Sequence, residues 1–340
     1  MPEIRFNPLS GRGVIIAAER ARRPFQNKSE SAAEDRNSPR NCPFCKGNEE
    51  QTPAQTDSLF FPSSRDWAVR SVPNRYAALT PVSDPWIQNE FQIETGPKSS
   101  PLYWKRESAS GLHEVIIESP QHVERCGDLD DAQWRRLIQF YVQRIQAAYS
   151  DDRWCYVQLF KNQGRSAGAS MSHVHSQLMA MPIIPQLVSR EVSQLEQYAG
   201  EYGECFWCTV LKTELEIGAR IVKTTPNFAV LCPFISRFAG ETWILPRVHL
   251  PSMENSPPEI LDELAAIMAE ILRKLESVLS EPAYNVIYRN APRICGQIPG
   301  AFHWRVEITP RINSIAGFEI GTGYFINVIS PEEFVSRLRE

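Results

Sequence analysis

The chain has 340 residues, enough for about two domains, and its 42% hydrophobic and 22% charged residues are ordinary for a soluble globular protein. A net charge of −4 and a pI near 6.0 speak against a general nucleic-acid binder. No run of about 18 apolar residues marks a membrane span. MPEIRFNPLSGRG lacks the apolar core of a signal peptide, so the expected compartment is the cytoplasm, where thiols stay reduced.

The elements come in an order that occurs twice. In the first half a polar stretch at 27–41, read as a surface loop, leads to the C-x-x-C pair Cys42/Cys45. VPNRYAALTP follows at 72–81, then an apolar strand at 111–120 with His113 at its start. Apolar residues three and four apart predict a helix over 129–149, with Asp130 and Asp131 near its N-terminus. WCYVQLFKNQG at 154–164 reads as a strand running into a turn, and SHVHSQLMAMP closes the set. An amphipathic helix is expected within 185–203. The second half then repeats the series: Cys205/Cys208, TPNFAVLCP at 225–233, a strand at 241–250 ending near His249, a helix over 256–280 opened by Ser-Pro-Pro-Glu, a strand running into a turn at 284–292, and FHWRVEITP with His303 at 302–310. Similar segments in the same order imply a duplication. The expected fold is α+β, each half a mostly antiparallel sheet with a packed helix, divided as 1–184 and 185–340.

The thiol pairs carry the first chemistry. In a reducing compartment C-x-x-C implies metal ligation or redox work, and neither pair lies at a strand-to-helix turn of thioredoxin type. Each half supplies two thiols and two histidines. The expected ligand sets are Cys42, Cys45, His113 and His173, and Cys205, Cys208, His249 and His303. Two thiolates and two imidazoles suit tetrahedral zinc, and four protein ligands leave no open position, so both sites are read as structural. Of the six histidines, His122 has no counterpart in this scheme and is left outside it.

The second chemistry lies in SHVHSQ. On a strand, residues two apart share a face, so His173, His175 and Gln177 are expected to point the same way, roughly 7 Å per step. With His173 fixed by metal, His175 is a free imidazole that can attack through one nitrogen while the other is hydrogen-bonded. The Gln177 amide suits phosphoryl oxygens. Just upstream, NQGRSAGASMS offers Gly164 and Gly168 with serines, a loop through which backbone amides can approach a phosphate.

CPFC, NQGRSAGASMSHVHSQ, GETWILPRVH and GFEIGTGYFIN resemble the galactose-1-phosphate uridylyltransferase family of the histidine-triad (HIT) superfamily, over nearly the whole chain. The resemblance implies duplicated HIT-like domains, a homodimer, and ping-pong transfer of a nucleoside monophosphate between an NDP-hexose and hexose-1-phosphate through a nucleotidyl-histidine. It makes His175 the nucleophile, His173 the zinc ligand before it and Gln177 the residue that stabilises the intermediate. Asn162 and Ser170 match phosphate-side contacts, and Asn74 falls where the family holds the nucleoside. Arg20 and Arg23 match basic residues near the phosphates or hexose. GFEIGTG at 317–323, with Phe318, Gly321 and Thr322, matches the sugar-binding tail.

The chain departs from the family at two places. It reads H-V-H-S-Q where the uridylyltransferases read H-P-H-G-Q, and it has Cys205 and Cys208 where bacterial members commonly use glutamate and histidines. Both features resemble the ADP-glucose phosphorylase branch, which transfers an adenylyl group to inorganic phosphate. A HIT-type hydrolase, a diadenosine tetraphosphate phosphorylase and a non-catalytic, zinc-stabilised nucleotide-binding module are the remaining readings. His175 and Gln177 together speak against the last.

Overall fold

The computed structural model describes residues 3–6, 13–16, 40–81, 109–279 and 283–340. Arg20, Arg23 and most of the expected polar loop at 27–41 lie outside the described residues. The protein is α+β. In chain order the main strands are β3 (Asp57–Phe60), β4 (Trp67–Pro73), β5 (Leu112–Ile117), β6 (Tyr156–Gln163), β7 (His175–Met181), β8 (Ile221–Thr224), β9 (Phe228–Leu231), β10 (Thr242–Pro246), β11 (Tyr284–Arg289) and β12 (Arg305–Pro310). They form one ten-stranded sheet in the order β3-β4-β5-β7-β6-β11-β12-β10-β9-β8, and every neighbouring pair is antiparallel. The order of one half mirrors that of the other about the β6–β11 pairing. A small second sheet joins β1 (Glu3–Phe6), β2 (Gly13–Ile16) and β13 (Phe325–Asn327).

Two long helices lie on one face of the large sheet. Helix α1 (Asp131–Tyr149) begins where Asp130 Oδ1 accepts the Gln133 N–H at 2.6 Å, a cap that typically contributes about 1 kcal/mol. Helix α4 (Pro258–Val278) begins with proline in its first turn, where the missing N–H costs nothing. Both present apolar residues three and four apart. Leu137, Tyr141, Ile145, Leu264, Met268 and Leu272 are buried with Leu159, Leu178, Val286 and Val306 from the strands in one continuous core.

Strand alternation sends the other side chains to the opposite face. Over the second half that face is covered by helices α2 (Gln186–Tyr202) and α3 (Phe206–Ile217), through Leu195, Phe206, Trp207 and Leu211 packed on Leu231, Trp243 and Leu245. Over the first half the same face carries Val115 and Ile117 with Trp67, Val72 and the half-buried Phe44. Two short helices complete the chain, α5 (Gly317–Thr322) and α6 (Pro331–Arg339). Among the described residues no helix is long and apolar enough to cross a membrane.

Candidate active site

Register places the expected reactive residues. In the β5–β7 pair Ile117 lies opposite His175, Val115 opposite Gln177 and His113 opposite Met179, so His175 and Gln177 share the face away from α1 and α4. His173 does not share it as a strand residue. Strand β7 begins at His175, and His173 lies in the bend before it. The expected row of three is therefore a pair with an anchor in front.

The anchor is a cluster of four. Cys42 Sγ and Cys45 Sγ lie 3.4 and 3.6 Å from His173 Nδ1, and Cys45 Sγ lies 3.3 Å from His122 Nδ1. All four ligand atoms fall within 4.8 Å of one another. The expected ligand His113 is not among them, and His122 takes its place. The reason is position along the strand: His113 lies inside β5, whereas His122 follows its end, after Pro120, on the side where the C-x-x-C turn lies. The second cluster is the expected Cys205, Cys208, His249 and His303, with sulfur to Nδ1 distances of 3.5 to 3.9 Å. There too the expected ligand His249 follows the end of its strand, β10.

Both clusters fit a tetrahedral zinc ion, whose sulfur and nitrogen ligands would stand about 3.5 Å apart given bonds of about 2.3 and 2.0 Å. The outer nitrogens agree. Nε2 of His173 donates to the Ser119 carbonyl at 2.9 Å, of His303 to Pro246 at 3.0 Å and of His249 to Gly300 at 2.8 Å, which leaves each Nδ1 lone pair free for a metal. His122 Nε2 lies 3.2 Å from the Glu124 carboxylate. Burial pushes the His173 pKa down to about 4 and the Cys45 thiol up to about 12.

His175 is held from several sides. Its Nδ1 donates to the His173 carbonyl at 2.8 Å, so the lone pair is on Nε2. Burial, and then the Lys161 ammonium, push its pKa below the ordinary histidine value, which keeps the ring neutral near pH 7. Phe44, inside the C-x-x-C turn, meets the His175 ring edge-on at 5.4 Å and the His173 ring at 5.9 Å. The cluster thus supports His175 through both a backbone carbonyl and a packed ring.

Behind the strand lies a buried network that the sequence reading missed. Lys161 Nζ donates to the His175 carbonyl at 2.9 Å and to Glu118 Oε2 at 2.5 Å. Glu118 Oε1 also accepts from Tyr141 at 2.6 Å and from Ser176 at 2.5 Å. Glu118 is 0% exposed and Lys161 2%. Burial alone would raise the Glu118 pKa, but Lys161 and the two hydroxyls outweigh it and hold the carboxyl below its ordinary value. For Lys161 burial is likewise offset, by Cys126 and Glu118, and its pKa lies above the ordinary value. A charged residue at the end of each of two mostly apolar runs, Glu118 after VII and Lys161 after VQLF, was the available signal.

The glycine loop follows β6. Gly164 and Gly168 have φ of 77° and 92°, conformations that favour glycine. Asn162, at the end of β6, is tied to the second half: Asn285 Nδ2 donates to Asn162 Oδ1 at 2.8 Å and to the Ala167 carbonyl at 2.9 Å, while Arg311 Nε donates to Asn285 Oδ1 at 2.6 Å. With its oxygen occupied, Asn162 keeps Nδ2 beside Gly168, 3.7 Å from where a Cβ there would sit. Ser170 is exposed on the loop between Gly168 and His173. Asn74, just past β4, donates to Gln177 Oε1 at 3.3 Å. Phe318, Gly321 and Thr322 are exposed on α5, which neighbours β13 in the second half and makes no hydrogen bond to His175 or Gln177.

Among the described residues the second half has no equivalent of the His175–Gln177 pair. Glu307 lies opposite Ile287 as Gln177 lies opposite Phe160, which sets His303, Arg305 and Glu307 against His173, His175 and Gln177. Arg305 and Glu307 are buried in an ion network with Arg289, Arg237 and Glu191. Burial would raise the Glu307 pKa, but Arg289, Arg305 and Arg237 outweigh it and keep the carboxylate charged.

Comparison with known proteins completes the assignment. The profile of the galactose-1-phosphate uridyl transferase N-terminal domain matches residues 1–185, and a domain of unknown function, DUF4921, matches 109–340. The chain is 33% identical to the ADP-glucose phosphorylase of Arabidopsis thaliana over 100% of this chain and 93% of that protein. It is 29% identical to the galactose-1-phosphate uridylyltransferase of Thermotoga maritima, over 100% and 98%. The crystal structure of an Arabidopsis thaliana ADP-glucose phosphorylase with bound ADP-glucose superposes with a TM-score of 0.81 at 29% identity, covering 100% of this chain and 99% of that one. With the motifs, the duplicated HIT-like sheet and these relatives in agreement, the chain belongs to the galactose-1-phosphate uridylyltransferase family of nucleotidyltransferases.

Proposed function

We propose that this enzyme moves a nucleotidyl group from an NDP-hexose through a covalent bond to His175 Nε2. The observation that carries the reading is the His175 ring itself: neutral, with Nδ1 donating to the His173 carbonyl and the Nε2 lone pair left for attack. Nε2 forms a bond to the α-phosphorus as the bond from that phosphorus to its bridging oxygen breaks. Hexose-1-phosphate leaves with the electron pair. An oxygen of the acceptor then attacks the phosphorus, and the pair returns to Nε2. Gln177, Asn162 Nδ2 and the loop amides around Gly164 and Gly168 supply donors for the charge that builds on the phosphoryl oxygens. Asn74 lies on the nucleoside side, Ser170 beside the phosphates, and Arg20, Arg23 and the tail residues Phe318, Gly321 and Thr322 serve substrate.

The nucleotide and acceptor follow from kinship. Full-length similarity to an ADP-glucose phosphorylase, at 33%, supports adenylyl transfer from ADP-glucose to inorganic phosphate, giving ADP and glucose-1-phosphate. The second reading, uridylyl transfer from UDP-glucose to a hexose-1-phosphate, is supported by the family profile over 1–185 and by the Thermotoga maritima relative. We read both Cys/His clusters as zinc sites, the first fastening the Cys42–Cys45 turn and His173 and the second the start of α3, with no part in the bond changes. A homodimer and a boundary near residue 184 complete this reading. The test is product analysis. ADP released from ADP-glucose plus phosphate, with no transfer from UDP-glucose, supports the phosphorylase; UDP-galactose formed from UDP-glucose and galactose-1-phosphate, with ADP-glucose untouched, replaces it with the uridylyltransferase.

A further inference from the structure

We infer that His113 is the positioning residue that fixes which end of the Gln177 amide faces the phosphoryl group. The inference builds on the nucleotidyl-histidine reading above. A glutamine amide has two faces of opposite character, an oxygen that accepts and an NH₂ that donates. Only the NH₂ stabilises a phosphoryl oxygen carrying negative charge. With the oxygen turned toward the phosphate the same residue would repel it, so something must choose.

The surrounding backbone makes the choice. The Ala78 N–H donates to His113 Nδ1 at 3.0 Å, so Nδ1 is the bare nitrogen of the ring and Nε2 carries the hydrogen. Nε2 lies 2.8 Å from Gln177 Oε1 and donates to it. Asn74 is oriented in the same way: the Tyr76 N–H donates to Asn74 Oδ1 at 2.8 Å, which turns Asn74 Nδ2 toward Gln177 Oε1, 3.3 Å away. Two donors therefore converge on one oxygen, and the Gln177 NH₂ is left pointing elsewhere. Asn74 Nδ2 and His113 Nε2 stand 3.1 Å apart because both aim at that oxygen. The segment that directs them is docked on β5 by the Asn74 N–H, which donates to the His113 carbonyl at 2.8 Å. His113 is thus close to the site without being a metal ligand, and it acts through Gln177 rather than on substrate.

The test uses the full-length enzyme, with ADP-glucose and UDP-glucose as parallel nucleotidyl donors. Formation of the nucleotidyl-enzyme is followed in a single turnover by intact mass. His113→Phe keeps the ring but removes both nitrogens, and should slow this step by about 10- to 100-fold, less than the roughly 10²–10³-fold lost when a transition-state donor is removed outright, because the amide itself stays. KM should stay within about twofold, since the interaction matters as charge develops, and metal content should be unchanged. His113→Gln places an amide N–H near the former Nε2 and should regain most of the rate. In a Gln177→Ala background, His113→Phe should add nothing, because there is no amide left to orient. A wild-type rate in His113→Phe while Gln177→Ala is slow would overturn the inference, as would fully additive losses. Gln177→Ala forming adduct at the wild-type rate would also overturn it, because the amide would then have no role to orient, while leaving the nucleotidyl-histidine intact. Only if wild type forms no adduct with either donor does the nucleotidyl-histidine reading fail, and the positioning role with it.

Discussion

Replacing Lys161 by methionine tests the network behind His175. Methionine fills most of the volume of the lysine stem and removes only the ammonium. Glu118, 0% exposed, would then keep two hydroxyl donors, Tyr141 and Ser176, but no cation. Removing one partner of a buried ion pair costs about 3–5 kcal/mol. The hydroxyls stay and Glu118 can take up a proton, so the expected loss is about 3 kcal/mol near pH 7, read as a lower urea midpoint by tryptophan fluorescence. Adding Glu118→Gln removes the stranded charge and should restore more than half of it. The pH dependence has a definite sign. The folded-state pKa of Glu118 lies below its ordinary 4.5, so its contribution is present above about 4.5 and fades as pH falls through the folded value. That of Lys161 lies above its ordinary 10.5, so its contribution is present below that pH and is lost as pH rises through the folded value. The gap between wild type and Lys161→Met should be widest inside this window and narrow toward pH 4. Activity should also fall, because the His175 carbonyl loses its donor. Equal midpoints for wild type and Lys161→Met at pH 7, or a gap that does not change with pH, would refute the reasoning.

Two other predictions concern metal and substrate placement. His122→Ala should lower bound zinc from about two to about one equivalent per chain by elemental analysis while His113→Phe leaves it unchanged, and prolonged chelation should lower the unfolding temperature of wild type. Asn285→Ala, with Arg311→Ala as a parallel variant, should slow nucleotidyl transfer roughly tenfold by releasing Asn162, with circular dichroism unchanged; an unchanged rate would remove Asn162 from the phosphate side.

The sequence exposed what is periodic or repeated. The α1 and α4 helices and the strands of both halves follow from apolar spacing and from the recurrence of one series of segments. The two helices end within about two residues of the expected bounds, whereas the strands expected at 111–120, 241–250 and 284–292 stop three or four residues earlier. The site was legible where local spacing decides it, as for His175 and Gln177 on one strand face. It was illegible where side chains meet across strands. The order of histidines in the chain favoured His113 as the ligand. Yet the recurrence of a histidine shortly after each strand-end proline, His122 after Pro120 and His249 after Pro246, was the better signal, because a ligand to the C-x-x-C turn must lie beyond the strand. Lys161 and Glu118 are 43 positions apart and meet only through the β5-β7-β6 order, which no local pattern encodes. Asn285 is 123 positions from Asn162 and depends on the mirror pairing of the halves.

The central claim is tested most directly by the intact mass of the purified enzyme after incubation with ADP-glucose or UDP-glucose and no acceptor. The expected result is a single adenylyl or uridylyl adduct per chain, mapped to His175, absent in His175→Ala and discharged on adding inorganic phosphate or a hexose-1-phosphate. An enzyme that turns over these substrates with no adduct at any time, or with near-normal rates in His175→Ala, would contradict it.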